Sequence, residues 1–320
     1  MLEAVRELGF QPNMAARGLR NGRTGMIGLL IPDMLNPHFA EFARQMQITA
    51  SAHGFMLVLS NYQYDEAVKL TNLRSFIAHH MDGLIWMAGA LEGEALEMIQ
   101  AARWPMVVCE ELAPANLNYV HSFMYGATRD QATYDIVSRL IQRGHRRVAY
   151  LTGGKELPAA HGRVSAYCQA LNDHGLPVDE GLIKRTIFLQ GNNLEAGYKA
   201  THELFDEGQS PTAICTLNDF TALGVLSALS DRGLRVPTDV SVVGCDDILQ
   251  ASYTHPALTT IHTPIEAISK QVLKLLQQLI SSKRDEEPVS IDDTVSTSDI
   301  RYTLIERTST GPAPGYHSSS

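Results

Sequence analysis

Long apolar runs are missing from this chain. The longest, around Met26 to Pro32, falls far short of the ~18 residues a membrane helix needs, and no apolar segment with a cleavage site opens the sequence. Neither a transmembrane nor a secreted protein is expected. Cysteine is scarce: Cys109, Cys168, Cys215 and Cys245 are scattered without CxxC spacing, and runs such as Ala213-Ile-Cys-Thr-Leu read as buried strands. Reduced core thiols in a cytosolic protein are therefore expected rather than disulfides. Positive charge is also in deficit, with 26 basic against 35 acidic side chains and a net charge of −9, which argues against a chain coated in nucleic acid or lying on an anionic membrane. Enzyme signatures are absent as well. There is no GxSxG, GxGxxG or HExxH, and Gly153-Gly-Lys155 lacks the upstream Gly and the following Ser or Thr of a P-loop. Among the histidines only His79 and His80 adjoin, and Asp246-Asp247 on a strand end would point to opposite faces rather than form an acid/base dyad. No enzyme activity, cofactor or metal is expected.

What remains is a chain of 320 residues, 44% hydrophobic, long enough for about two globular domains. From Met26 onward, short aliphatic runs alternate with segments of helical period, the pattern of βαβ units and a parallel sheet. Met26–Ile31 reads as a strand. A helix follows from Pro37 to near Gly54, its buried stripe formed by Phe39, Phe42, Met46 and Thr49. Further strands are predicted at Phe55–Ser60, Gly83–Met87 and Met106–Glu110. The pattern then restarts at Arg147–Thr152, Thr186–Leu189, Ala213–Leu217 and Val240–Gly244. Two doubly wound α/β lobes are the economical reading. An amphipathic helix at Ile265–Ile280 and a strand at Ile300–Ile305 follow, as expected of chain that crosses back to complete both lobes. The Pro-, Gly- and Ser-rich tail, 311–320, is expected to be disordered.

In open parallel sheets, ligands bind beyond the carboxyl ends of the strands. Those positions carry Asp33, Asn36, His38 and Phe39; Glu110 and Glu111; His161 and Arg163; Asn192 and Asn193; Asn218 and Asp219; and Asp246 and Asp247. Carboxylates, amides, an arginine and an aromatic face suit a sugar-like or nucleoside-like ligand. Asp and Asn before helices also serve as N-caps, so Asp33 and Asn218 stand open between capping and ligand contact.

Residues 1–24 run against the overall charge, with Arg6, Arg17, Arg20 and Arg23 facing Glu3 and Glu7. The same stretch carries a resemblance. Ala4-Val-Arg-Glu-Leu-Gly-Phe-Gln-Pro-Asn13, Ala15-Ala-Arg-Gly-Leu-Arg20, Ile27-Gly-Leu-Leu-Ile-Pro-Asp33 and Asn36-Pro-His-Phe39 are similar to the start of a LacI/GalR-family regulator. The likeness continues through Leu140-Ile-Gln-Arg-Gly-His-Arg-Arg147, Gly162-Arg163, Asn218-Asp219, Arg235-Val-Pro-Thr-Asp-Val-Ser-Val-Val-Gly244, Asp246-Asp247 and Pro256-Ala-Leu-Thr-Thr-Ile261. It implies a cytoplasmic, homodimeric, effector-sensing transcriptional regulator, by expectation a repressor. Its two lobes would resemble type I periplasmic binding proteins and close on a small molecule.

The implied organisation is a remnant of the DNA-binding domain and hinge helix over 1–24, an N-terminal lobe of 25–128 plus 262–292, and a C-terminal lobe of 129–261 plus 293–310. The resemblance places operator contacts on Asn13, Ala16, Arg17, Leu19 and Arg20, with Leu19 wedging into the minor groove. Effector contacts fall on His38, Phe39, Glu110, Arg163, Asn193, Asn218 and Asp246. Asn193 stands where some purine-binding relatives have an aromatic, which favours a sugar over a nucleobase. A sugar-binding sensor or receptor without a DNA role is the alternative. The sequence opens inside what would be the third helix of the DNA-binding domain, and Gly18 weakens the hinge helix by roughly 1 kcal/mol. These 320 residues are accordingly expected to hold operator DNA weakly, because hinge arginines cannot replace the base-edge contacts of a recognition helix.

Overall fold

The computed structural model describes residues 23–87, 91–109, 117–124, 127–153, 158–186, 193–285 and 300–316. The first half is a parallel sheet of β1 (Met26–Ile31), β2 (Met56–Asn61), β3 (Gly83–Met87), β4 (Met106–Cys109) and β5 (Val120–Phe123), in the order β2-β1-β3-β4-β5. Helices α1 (Pro37–Ala52), α2 (Glu66–Ala78) and α3 (Gly93–Ala102) connect its first four strands. Alternation along β1 sorts its side chains. Ile27, Leu29 and Ile31 join the core under α1, while Leu30 joins the core beneath α2 and α3 with Phe76 and Leu84. On that second face Gly28 lets the Phe76 ring approach, since a Cβ there would meet it at 2.9 Å.

The second half repeats the plan. Strands β6 (Val148–Gly153), β7 (Ile183–Thr186), β8 (Ala213–Thr216), β9 (Ser241–Asp246) and β10 (Thr259–His262) lie parallel in the order β7-β6-β8-β9-β10, with β11 (Thr303–Ile305) antiparallel on the outer edge. Helices α4 (Ala127–Gln142) and α5 (Pro158–Asp173) pack together on one face, α6 (Asn193–Asp206) and α7 (Asp219–Asp231) on the other. Both sheets therefore reverse direction between their first and third strands, the switch point at which doubly wound folds open a ligand crevice.

Three crossings join the lobes. Chain passes from β5 to α4, returns from β10 to α8 (Ile265–Asp285), and comes back to β11. Helix α8 packs on α1, β3 and β4 of the first lobe, burying Ile268, Val272, Leu275, Leu276 and Leu279. The late helix and strand thus complete opposite lobes. The structure adds β5 and β10, which are too short to announce themselves as runs, and places β7 at Ile183–Thr186 instead of Thr186–Leu189, whose last three residues lie outside the described residues. All four cysteines are free. Cys109, Cys215 and Cys245 are buried in strands, and burial pushes the Cys215 thiol up to about 12.

The tail departs from expectation. Gly311–Tyr316 is packed, not disordered. The Gly311 carbonyl lies 3.1 Å from Nε2 of the fully buried His145, whose Nδ1 meets the Thr212 hydroxyl at 2.9 Å. The Ala313 amide donates to the Arg143 carbonyl at 2.9 Å, and the Tyr316 ring lies over Gly144, where any Cβ would collide with it. Composition marked the segment as low in core formers, yet it satisfies a buried imidazole that has no access to water. Truncation after Thr310 is expected to cost about 2 kcal/mol, because His145 Nε2 keeps only the longer contact to the Ser241 hydroxyl at 3.4 Å and the Tyr316 contact is lost. A thermal melt of the shortened chain checks this, with a Tm several degrees lower expected.

Candidate functional site

The carboxyl ends of both sheets supply a cleft lined by helix starts. Helix α1 begins there because Asn36, in extended backbone, accepts the His38 N–H at 3.0 Å and Pro37 fills the first helical position. This start projects His38 toward the second lobe, with Phe39 edge-on beside it at 5.4 Å between ring centroids. Asp33, just beyond β1, is buried and accepts the Leu35 N–H at 2.8 Å. Burial raises its carboxyl above the usual range, against the opposing pull of the Leu35 and Asn36 amides. Its second oxygen has no hydrogen-bond partner among the described residues.

On the opposite wall, β9 ends in a sharp turn with Asp246 at φ 122° and Asp247 at φ 59°. The adjacent carboxylates part company. Asp247 is tied to Arg307 at 2.6 Å and to His262 at 3.0 Å, while Asp246 reaches His38 of the other lobe at 3.5 Å. Burial pushes the Asp246 carboxyl up to about 7, although the Arg163 and Arg129 guanidiniums and the Thr263 hydroxyl all favour its ionised form. Beneath the turn sits Asp219, fully buried, accepting the Ile248 N–H at 2.9 Å and the Thr260 hydroxyl at 2.5 Å. Its own carboxyl is pushed up to about 7 by burial and by the charge of Asp246. Gly244 makes room for it, since a Cβ there would lie 2.0 Å from Asp219 Oδ1.

Arg163 is buried at the floor, its Nη1 donating to the Leu217 carbonyl at 2.5 Å. Asn218 is engaged as the N-cap of α7, accepting the Thr221 N–H at 2.8 Å. Asn193, at the start of α6 and 2% exposed, bonds through its side chain to the Tyr64 hydroxyl across the cleft, while its Oδ1 has no partner among the described residues. Tyr64 is held in left-handed backbone (φ 55°), and burial together with the Asp33 charge raises its phenol.

Of the residues singled out from sequence, His38, Arg163 and Asp246 converge, Phe39 flanks them, and Asn193 stands with Asp33. Glu110 and the hinge set Asn13, Ala16, Arg17, Leu19 and Arg20 lie outside the described residues. Tyr64, Arg129 and Thr263 were not anticipated. Tyr64 follows the carboxyl end of β2, where the strand-end rule would have found it; Arg129 in the first turn of α4 and Thr263 just after β10 adjoin the first and second crossings, which carry no local signal. Outward from the His38–Asp246 contact, a groove of about 950 Å³ runs between α1, the loop 246–250 and the start of α8.

This geometry, two switch-point sheets facing one polar cleft, is that of a ligand-binding core. Residues 137–310 match the family described as periplasmic binding protein-like domain. Catabolite control protein A of Priestia megaterium is 31% identical over 88% of this chain and 83% of its own length. The HTH-type transcriptional repressor PurR of Pectobacterium carotovorum is 33% identical over 97% of this chain and 87% of its own. The solved structure of the transcriptional regulator CelR–cellobiose complex superposes with a TM-score of 0.76 at 25% identity, covering 96% of this chain and 88% of that one. The chain belongs to the LacI family of ligand-responsive transcriptional regulators.

A carboxyl whose folded pKa lies near 7 binds its proton more tightly folded than unfolded, so its contribution to stability is full below about pH 4 and is lost as pH rises to about 7. Asp246→Asn, neutral throughout, is expected to melt above the parent without ligand, by a margin that grows between those limits. Thermal melts across the range check it, and a margin independent of pH would place the cost elsewhere.

Proposed function

We propose that this chain senses a small sugar in the cleft and, as a cytoplasmic homodimer, passes lobe closure to an operator-bound DNA-reading segment as a repressor. The observation that carries the reading is the pairing of Asp246 with Arg163 on one lobe against His38 on the other. Around it, Asp33 Oδ2 and Asn193 Oδ1 are buried acceptors whose partners a polyol's hydroxyls would supply. The similar CelR structure holds cellobiose, which supports the same ligand class. Pairing of two chains is supported by apolar side chains left in solvent: Ile48 on α1, and Leu249 and Tyr253 beyond β9, each of the latter 73% exposed.

The test is calorimetric titration with mono- and disaccharides. Arg163→Ala and Asp246→Ala are each expected to weaken the best ligand about tenfold to a hundredfold, as befits desolvated charged hydrogen bonds. Unchanged affinity together with a lowered melting point of the unliganded variant would assign these residues to the scaffold. Light scattering should report twice the 35.2 kDa chain mass.

A further inference from the structure

The chain leaves β2 by a turn that no glycine eases. The Asp65 amide donates to the Tyr62 carbonyl at 2.8 Å, and both residues inside that turn, Gln63 (φ 53°) and Tyr64 (φ 55°), take left-handed backbone. Two consecutive left-handed residues are the pattern of a type I′ turn, which is ordinarily filled by Asn-Gly or Gly-Gly. For an aromatic residue the conformation is costly, and it persists only where the surroundings over-determine it.

Both flanks of the turn are gripped. Upstream, Tyr62 is buried and its amide donates to the Ile31 carbonyl at 3.0 Å. Downstream, the Asp65 carboxylate caps α2 by accepting the Ala67 and Val68 amides at 2.8 and 3.1 Å. No backbone bond in the turn calls for an aromatic at 64. What the strained position achieves is to carry the phenol across the cleft to Asn193, steadied by the Tyr62 ring edge-on at 6.0 Å.

That bridge and the His38–Asp246 contact form two posts between the lobes. On the second sheet Asp246 ends β9 and Asn193 follows β7, with β8 and β6 between them. Strands lie about 4.8 Å apart, so three spacings separate the posts by roughly 14 Å. Arg163, which follows β6 and donates to the Leu217 carbonyl beyond β8, lies within that interval. With van der Waals contact of about 3.5 Å claimed at each end, the length left suits one sugar ring and not two end to end.

Resting on the reading of the cleft as a sugar site, we propose that Tyr64 is the residue that sets ligand length. Its ring closes the cleft at Asn193, so a monosaccharide is admitted and a disaccharide is excluded.

The test is calorimetric titration of the full chain with glucose, galactose and fructose beside cellobiose, maltose, lactose and sucrose. A monosaccharide is expected to bind at least about tenfold tighter than any disaccharide that contains it. Tyr64→Gly suits the left-handed backbone and removes the ring, and should shift the affinity ratio toward disaccharides by at least about tenfold. Tyr64→Phe keeps the ring, loses the bond to Asn193, and should leave that ratio within about twofold of the parent. A merely structural role would weaken both classes alike, and melts confirm that the variants fold. Parent affinity for a disaccharide equal to that for its monosaccharide, a ratio unmoved in Tyr64→Gly, or an equal shift in Tyr64→Phe would each overturn the proposal. Those outcomes leave sugar binding through Arg163 and Asp246 standing, whereas no heat from any of the sugars at millimolar concentration removes both readings.

Discussion

The buried carboxyl of Asp219 holds three parts of the second lobe together. Standing at the start of α7, it takes the Ile248 amide from the loop after β9 and the Thr260 hydroxyl from β10, in space that only a glycine at 244 leaves open. With Ile248 fixed there, the chain leaving β9 has to turn within two residues, and Asp246 and Asp247 both take positive φ. Such backbone is costly for residues with a Cβ and persists where surrounding bonds over-determine it. Here those bonds are the Asp219 pair and the Asp247–Arg307 ion pair. The turn is what separates two adjacent carboxylates into one that ties the sheet edge together and one that faces the cleft.

Asp246 is consequently held in an environment that disfavours its charge. Two guanidiniums and a hydroxyl oppose that penalty without cancelling it, since its pKa still stands near 7. Nearby, Asp33 Oδ2 and Asn193 Oδ1 are buried without a hydrogen-bond partner among the described residues, so the cleft holds polar groups whose hydrogen bonds are incomplete. The contacts His38–Asp246 and Tyr64–Asn193 both join the lobes directly. The orientation of the two lobes therefore depends on side chains of the cleft itself.

Much of this was legible in the residues themselves. Strands such as Met26–Ile31 and Gly83–Met87 declare themselves because both faces of a parallel sheet are covered, so every position is apolar. The switch-point rule then led to His38, Arg163, Asn193 and Asp246, since loops at strand ends are where polar side chains can converge without interrupting a core. Arg129 and Tyr64 escaped for a physical reason. Each acts through partners remote in sequence, Arg129 beside Asp246 and Tyr64 across the cleft from Asn193, and nothing local distinguishes them from a solvated arginine or a loop tyrosine. The tail misled because Pro, Gly and Ser lower the capacity to build a core but not the capacity to cover one already built.

Local sequence determined two α/β lobes, their polar strand ends and the family likeness, because periodicity and spacing follow from backbone geometry that every chain shares. Tertiary structure alone decided that Asp246 faces an opposing histidine while its neighbour braces a strand, that Asn218 is occupied as a cap, and that Gly311–Tyr316 closes over His145. Those outcomes depend on which hydrogen-bonding groups are left without water once the chain is compact, and that is set only when distant segments meet.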